Sequence, residues 1–112
     1  MDKPQGPQPE RRRYPRTKVA VPVELRPEGS AVPLRVETSD LCPIGCYVEM
    51  SMTLDVGSRL SIVLWLGDEK VTAQGVVKTR HPQFGNGIEL GGMSVADRDK
   101  LVRYLKSISH ER

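Results

Sequence analysis

From Lys18 to Leu90 the chain repeats one device: apolar residues at every second position over a short run, then a turn rich in glycine, proline, aspartate or serine. In "KVAVPVELRP", Val19, Val21, Val23 and Leu25 share one face, and Ala20, Pro22 and Glu24 the other. Successive side chains of a strand point to opposite faces, so the pattern is that of a half-buried strand. "AVPLRVET" repeats it through Val32, Leu34 and Val36 after the turn-forming "RPEGS", and the two runs are expected to pair as a hairpin. A third strand is expected from Cys46 to Met50. "SRLSIVLWL" supplies a fourth with Leu60, Ile62, Leu64 and Leu66 inward, "KVTAQGVVKTR" a fifth with Val71, Ala73 and Val77 in phase, and "NGIEL" a sixth. Pro22 donates no ladder hydrogen bond and predicts a sheet edge, while Gly75 predicts a bend or bulge.

Six short antiparallel strands, each with one apolar face, would expose unpaired edges as an open sheet, so a closed or nearly closed barrel is expected. The end of the chain changes period. "SVADRDKLVRYLKSIS" offers Ser94 as an N-cap with Asp97 three residues on, and Leu101, Val102, Leu105 and Ile108 at helical spacing. One amphipathic helix is expected to pack on the barrel. The fold class is therefore all-β with one C-terminal helix.

A chain of 112 residues, with ten glycines and nine prolines, is the size of one turn-rich domain. No apolar run approaches the roughly 20 residues needed to cross a bilayer, and "MDKPQGPQPE" lacks the apolar segment of a secretory signal. A soluble cytoplasmic protein without membrane insertion is the expectation, with Cys42 and Cys46 as reduced thiols. Residues 1–10, rich in Pro and Gln with nothing apolar to bury, are expected to be a disordered tail.

The net charge of +3 is concentrated in one place. From Glu10 to Lys18 five basic residues (Arg11, Arg12, Arg13, Arg16, Lys18) face one acid, leaving 17 − 5 = 12 basic and 14 − 1 = 13 acidic groups elsewhere. A cationic arm on a neutral body fits an anionic partner met at one place, and equally a solvated charge run. Other chemistries find little support. The CxxxC spacing of Cys42 and Cys46 is neither a thioredoxin-type pair nor half of a recognisable zinc site, and His81 and His110 are far apart. No nucleophile set, phosphate-binding glycine loop or carboxylate pair is evident, so no enzyme, metal or cofactor is expected. Single-stranded nucleic acid binding normally needs several aromatic platforms, and one Trp, one Phe and three Tyr are too few.

Two stretches then combine. "RRRYPR" precedes the first strand and "SDLCPIGCYV" joins the second to the third. Together they resemble the PilZ domain, whose pattern is RRxxxR or RxxxR before the barrel and [D/N]xSxxG at a strand end. Here Arg11, Arg12 and Arg16 are followed by Asp40, Cys42 and Gly45 with the spacing kept. "FGNGIELGGMS" and "DRDKLVRYL" are similar to the family's sixth strand and closing helix. The resemblance implies a six-stranded antiparallel PilZ-like β-barrel over 19–92, a basic ligand-binding arm over 11–18 and a helix over 94–109, within a domain spanning 11–112.

It also implies a receptor for the bacterial second messenger cyclic di-GMP that passes its signal to a downstream protein partner, or a ligand-independent adaptor in motility, pilus or regulatory assemblies. Arg12 or Arg16 would grip the O6/N7 edge of a guanine with a bidentate fork. The remaining guanidinium groups would meet the phosphodiesters, and Asp40 would accept from guanine N1 and N2. Gly45 would allow a tight turn or a close approach to the ligand. Arg11 resembles family members that hold two stacked ligand molecules. Cys42 departs from the family serine, putting a weak hydrogen-bonding thiol in place of a compact hydroxyl. Without the resemblance, Asp40 reads equally as a turn cap and Gly45 as a positive-φ residue.

Overall fold

The computed structural model describes residues 16–109. The expected tail, Arg11 and Arg12 lie outside the described residues. Six strands run in order, β1 Pro22–Pro27, β2 Leu34–Cys42, β3 Gly45–Glu49, β4 Arg59–Leu66, β5 Glu69–His81 and β6 Gly85–Leu90, followed by the helix α1 Val95–Ser109. They close into a barrel in the order β1-β2-β3-β6-β5-β4, every neighbouring pair antiparallel. Closure leaves no unpaired edge. The edge predicted at Pro22 is therefore absent: proline stands at the first position of β1, where its missing N–H costs least.

The alternation read from sequence sets which residues face inward. On β4 Leu60, Ile62, Leu64 and Leu66 are buried, and their partners complete interior layers. Ile62 lies opposite Leu25 of β1 and Ala73 of β5, and Leu64 opposite Val23 and Val71. Each fully buried aliphatic side chain contributes about 1.5–3 kcal/mol, and a one-residue slip would turn the whole set to solvent.

Two further expectations about single residues fail. Val32 is 69% exposed instead of facing inward, because β2 begins only at Leu34. Ser30 Oγ bonds the Val32 N–H and carbonyl in a local turn, and Pro33 has no N–H to join the ladder. Gly75 marks no bulge: its register with Leu60 and Leu90 is regular. A Cβ there would run into Ile62 Cδ1 and come within 2.9 Å of the Glu89 carbonyl oxygen, so the position requires space for close packing.

Ser94 caps α1 as expected, its Oγ accepting from the Asp97 N–H at 3.0 Å. Asp97 does not close a reciprocal box. Its carboxylate accepts from the Thr72 N–H on β5 at 3.1 Å, and this amide is the main reason its carboxyl is held below the usual value. Leu101 and Leu105 are buried in the barrel's own core, so the helix's apolar stripe is packing surface.

Candidate functional site

Two β-bulges build the outer face on which the described members of the expected site meet. On β2 the register with β3 shifts between Thr38 and Asp40: Thr38 pairs with Val48, and Asp40 with Tyr47. Strict alternation would aim Asp40 inward with buried Thr38. The extra residue, Ser39, resets the phase, so that Leu41 pairs inward with Cys46 and Asp40 turns outward beside Tyr47. On β5 the register with β6 shifts between Val77 and Thr79. Val77 stays inside opposite Ile88, while Thr79 and His81 turn out opposite Gly87 and Gly85.

The residues entering β1 are fastened to the same place. Thr38 Oγ1 accepts from the Val21 N–H at 3.0 Å and donates to the Val19 carbonyl at 2.6 Å. Thr17 and Leu41 exchange two backbone hydrogen bonds of 2.9 Å each, forming an isolated antiparallel bridge. Arg16 is thereby held next to Asp40, with Nη1 3.7 Å from Oδ2. Lys18 goes elsewhere, lining an open groove with Arg35 and Thr38.

Cys42 pairs with Gly45 across the turn formed by Pro43 and Ile44, and the Leu90 N–H anchors that turn by donating to the Ile44 carbonyl at 2.9 Å. Gly45 does not have positive φ. A Cβ there would lie 2.9 Å from the Ile88 carbonyl oxygen, so glycine lets β3 approach β6. Cys46 faces the core, as expected of a small buried hydrophobe. Burial first, then the charges of Asp40 and Cys42, push its thiol up to about 12, so it is not a nucleophile at neutral pH. Both cysteines are free.

A cleft of about 440 Å³ opens over this face, lined by Arg16, Asp40, Cys42 and Gly45 and by Tyr47, Lys78, Thr79, His81, Gly87 and Glu89. Of the residues expected from the sequence, the four described ones meet here. Tyr47, Lys78 and His81 carry no motif signal in the sequence. Tyr47 Oη lies 3.0 Å from His81 Nδ1, and the two ring centroids are 5.8 Å apart. The tyrosine ring crosses two glycines. A Cβ on Gly85 would strike the Val48 carbonyl oxygen and sit 2.8 Å from Tyr47 Cε2, and one on Gly87 would meet Thr79 Oγ1. An aromatic between inward Cys46 and Val48, with glycines on the facing strand, is the sequence signal that could have revealed this platform.

The two described cations of the cleft each have a carboxylate, Arg16 with Asp40 and Lys78 with Glu89 at 3.7 Å. This part of the face is balanced in charge. Among the described residues no group of three or more His, Cys, Asp or Glu is arranged to hold a metal ion. No described helix is long and apolar enough to cross a membrane.

The family model of the PilZ domain matches residues 10–107. The chain belongs to the PilZ domain family. PilZ domains are binding and adaptor domains that recognise cyclic di-GMP and interact with partner proteins. The fold is similar to that of the Bacillus subtilis inhibitor of motility MotI/DgrA, with a TM-score of 0.77 and 18% identity over 96% of this chain and 58% of that one. It is also similar to the PilZ domain of CeSA from a cellulose-synthesizing bacterium, with a TM-score of 0.67 and 18% identity over 85% of this chain and 98% of that one. At such identity these neighbours speak to the fold, and the chain spans little more than half the length of the motility inhibitor. No curated protein sequence matches the chain.

Proposed function

We propose that this PilZ domain is a cytoplasmic receptor that binds cyclic di-GMP in the cleft between its arginine arm and the β2–β3 turn, and signals to a protein partner. The observation that carries the reading is the bulge that turns Asp40 outward, against Arg16 at 3.7 Å, at the mouth of the cleft. A carboxylate only accepts and a guanidinium only donates, so the pair can present both polarities to a guanine. Arg16 would take the O6/N7 edge and Asp40 the N1 and N2 donors. Arg11 and Arg12 would supply charge for the phosphodiesters, which the balanced floor lacks. Tyr47 and His81 would offer ring faces along the cleft, with Gly45 keeping its floor low.

Calorimetric titration tests this directly. Cyclic di-GMP is expected to bind saturably with two molecules per chain, because Arg11 adds a guanidinium to meet the second ligand's charge, while GMP and a short oligonucleotide bind far more weakly. A one-to-one isotherm would remove the role of Arg11. Absence of binding would favour the ligand-independent adaptor, a reading supported by the thiol at Cys42.

That thiol lines the cleft in the row of Gly45 but is only 8% exposed. Cys42→Ser puts a compact hydroxyl there and is expected to tighten cyclic di-GMP binding by about 0.5–1.5 kcal/mol, the net worth of one hydrogen bond. Melting temperature should change little. Unchanged affinity with a lowered melting temperature would identify Cys42 as a structural thiol, because a buried hydroxyl without a partner destabilises.

A further inference from the structure

The β2–β3 turn is held from behind by the helix. Arg98, in the first turn of α1, donates from Nη1 to the Pro43 carbonyl at 2.6 Å and from Nη2 to the Gly91 carbonyl at 3.1 Å. Pro43 and Ile44 form the link between Cys42 and Gly45, so the grip falls inside the segment that carries half of the proposed site. Among the described residues Arg98 has no carboxylate partner. Its charge is spent on two carbonyls, and such charge-assisted bonds are about twice as strong as neutral ones. The neighbouring Asp97 ties the same helical turn to β5 through Thr72. The start of α1 thus straddles two attachments, one on the barrel wall and one on the ligand turn.

We infer that Arg98 is a positioning residue: it holds the Asp40–Gly45 segment in its binding geometry and makes helix α1 respond to occupation of the cleft. This rests on the proposed receptor function. A ligand that shifts or stiffens the turn must strengthen or loosen the bonds to Pro43, and coupling between two sites acts equally in both directions. Helix docking therefore alters ligand affinity, and ligand alters the first turn of the helix.

The test compares two tethers of one helical turn. Arg98→Met keeps the aliphatic stem and removes the fork, and is expected to weaken cyclic di-GMP binding by about fivefold or more. Arg98→Lys, which retains charge but reaches one carbonyl at most, is expected to fall between Met and wild type, and it carries the comparison if the Met variant does not fold. Asp97→Ala removes the attachment to β5 and is expected to lower the melting temperature while leaving affinity within about twofold. In the wild type, saturating ligand should change amide hydrogen exchange over residues 95–101, and in Arg98→Met it should not. Wild-type affinity in both Arg98 variants, equal losses in Asp97→Ala and Arg98→Met, or helix exchange indifferent to ligand would each overturn the inference alone. A wild type that binds no cyclic di-GMP would overturn the receptor reading, and this inference with it.

Discussion

Arg12→Ala and Arg16→Ala are each expected to weaken cyclic di-GMP binding by tenfold or more, on the order of 1.4 kcal/mol, whereas Lys18→Ala should cost far less. The magnitudes favour the ligand over the resting ion pair. Arg16 and Asp40 sit 3.7 Å apart with side chains 50% and 21% exposed, and so open a pair is worth about 0–1 kcal/mol. A good bidentate guanidinium–guanine contact is worth about 1–3 kcal/mol, so exchanging one for the other is downhill. Truncating Arg16 removes that contact and leaves Asp40 without its cation. Lys18 carries the same charge two residues on, but it lines a different groove and is the internal control for simple electrostatics. Calorimetry on the three variants at one salt concentration decides the matter: equal losses would mean a diffuse cationic arm with no specific site.

How much of this was legible beforehand follows from what alternation can encode. The inward sets on β4 and β5 are legible because a period of two is a direct record of which face is buried, and six such runs leave closure as the way to satisfy every edge. A bulge adds one residue and resets that period with no necessary mark in composition. Ser39 looks like any polar strand residue, and so does Lys78. The consequences of those bulges were invisible: that Asp40 points outward, and that Thr79 and His81 come round to the same face as Tyr47. Glycines mislead in the same way. Gly45 and Gly75 each suggested unusual backbone, while both serve close approach, to the Ile88 and Glu89 carbonyl oxygens respectively. The spacing of Arg16, Asp40, Cys42 and Gly45 pointed to residues that line one cleft, because a motif records joint geometry that periodicity does not. The grip of Arg98 on Pro43 joins residues 55 apart and has no local signature.

The largest loss of stability is expected from Asn86→Ala. Asn86 is 0% exposed and faces inward beside Val48, a polar side chain at a position where the rest of β6 buries aliphatics. It is fully used. Its Oδ1 accepts from the Leu54 N–H at 2.8 Å, and its Nδ2 donates to the Leu54 carbonyl at 2.9 Å and to the Thr79 carbonyl at 3.2 Å. The first two bonds pin the segment between β3 and β4 to the barrel. The third satisfies the strand just past the β5 bulge, where the shifted ladder leaves a carbonyl in need of a donor. Alanine would orphan three backbone groups, each costing about 1–3 kcal/mol if it stays buried, but the half-buried Leu54 can recover water. A net loss of about 2–4 kcal/mol is therefore expected, or on the order of 10–20 °C in melting temperature for a domain of this size. Chemical denaturation and thermal melting of Asn86→Ala beside the milder surface change Glu89→Ala measure it. Because the same bulge turns Thr79 and His81 toward the cleft, the surviving folded protein should also bind cyclic di-GMP more weakly than wild type. A melting temperature within a few degrees of wild type would mean that water replaces the amide at all three groups, and that the bulge holds its shape without Asn86.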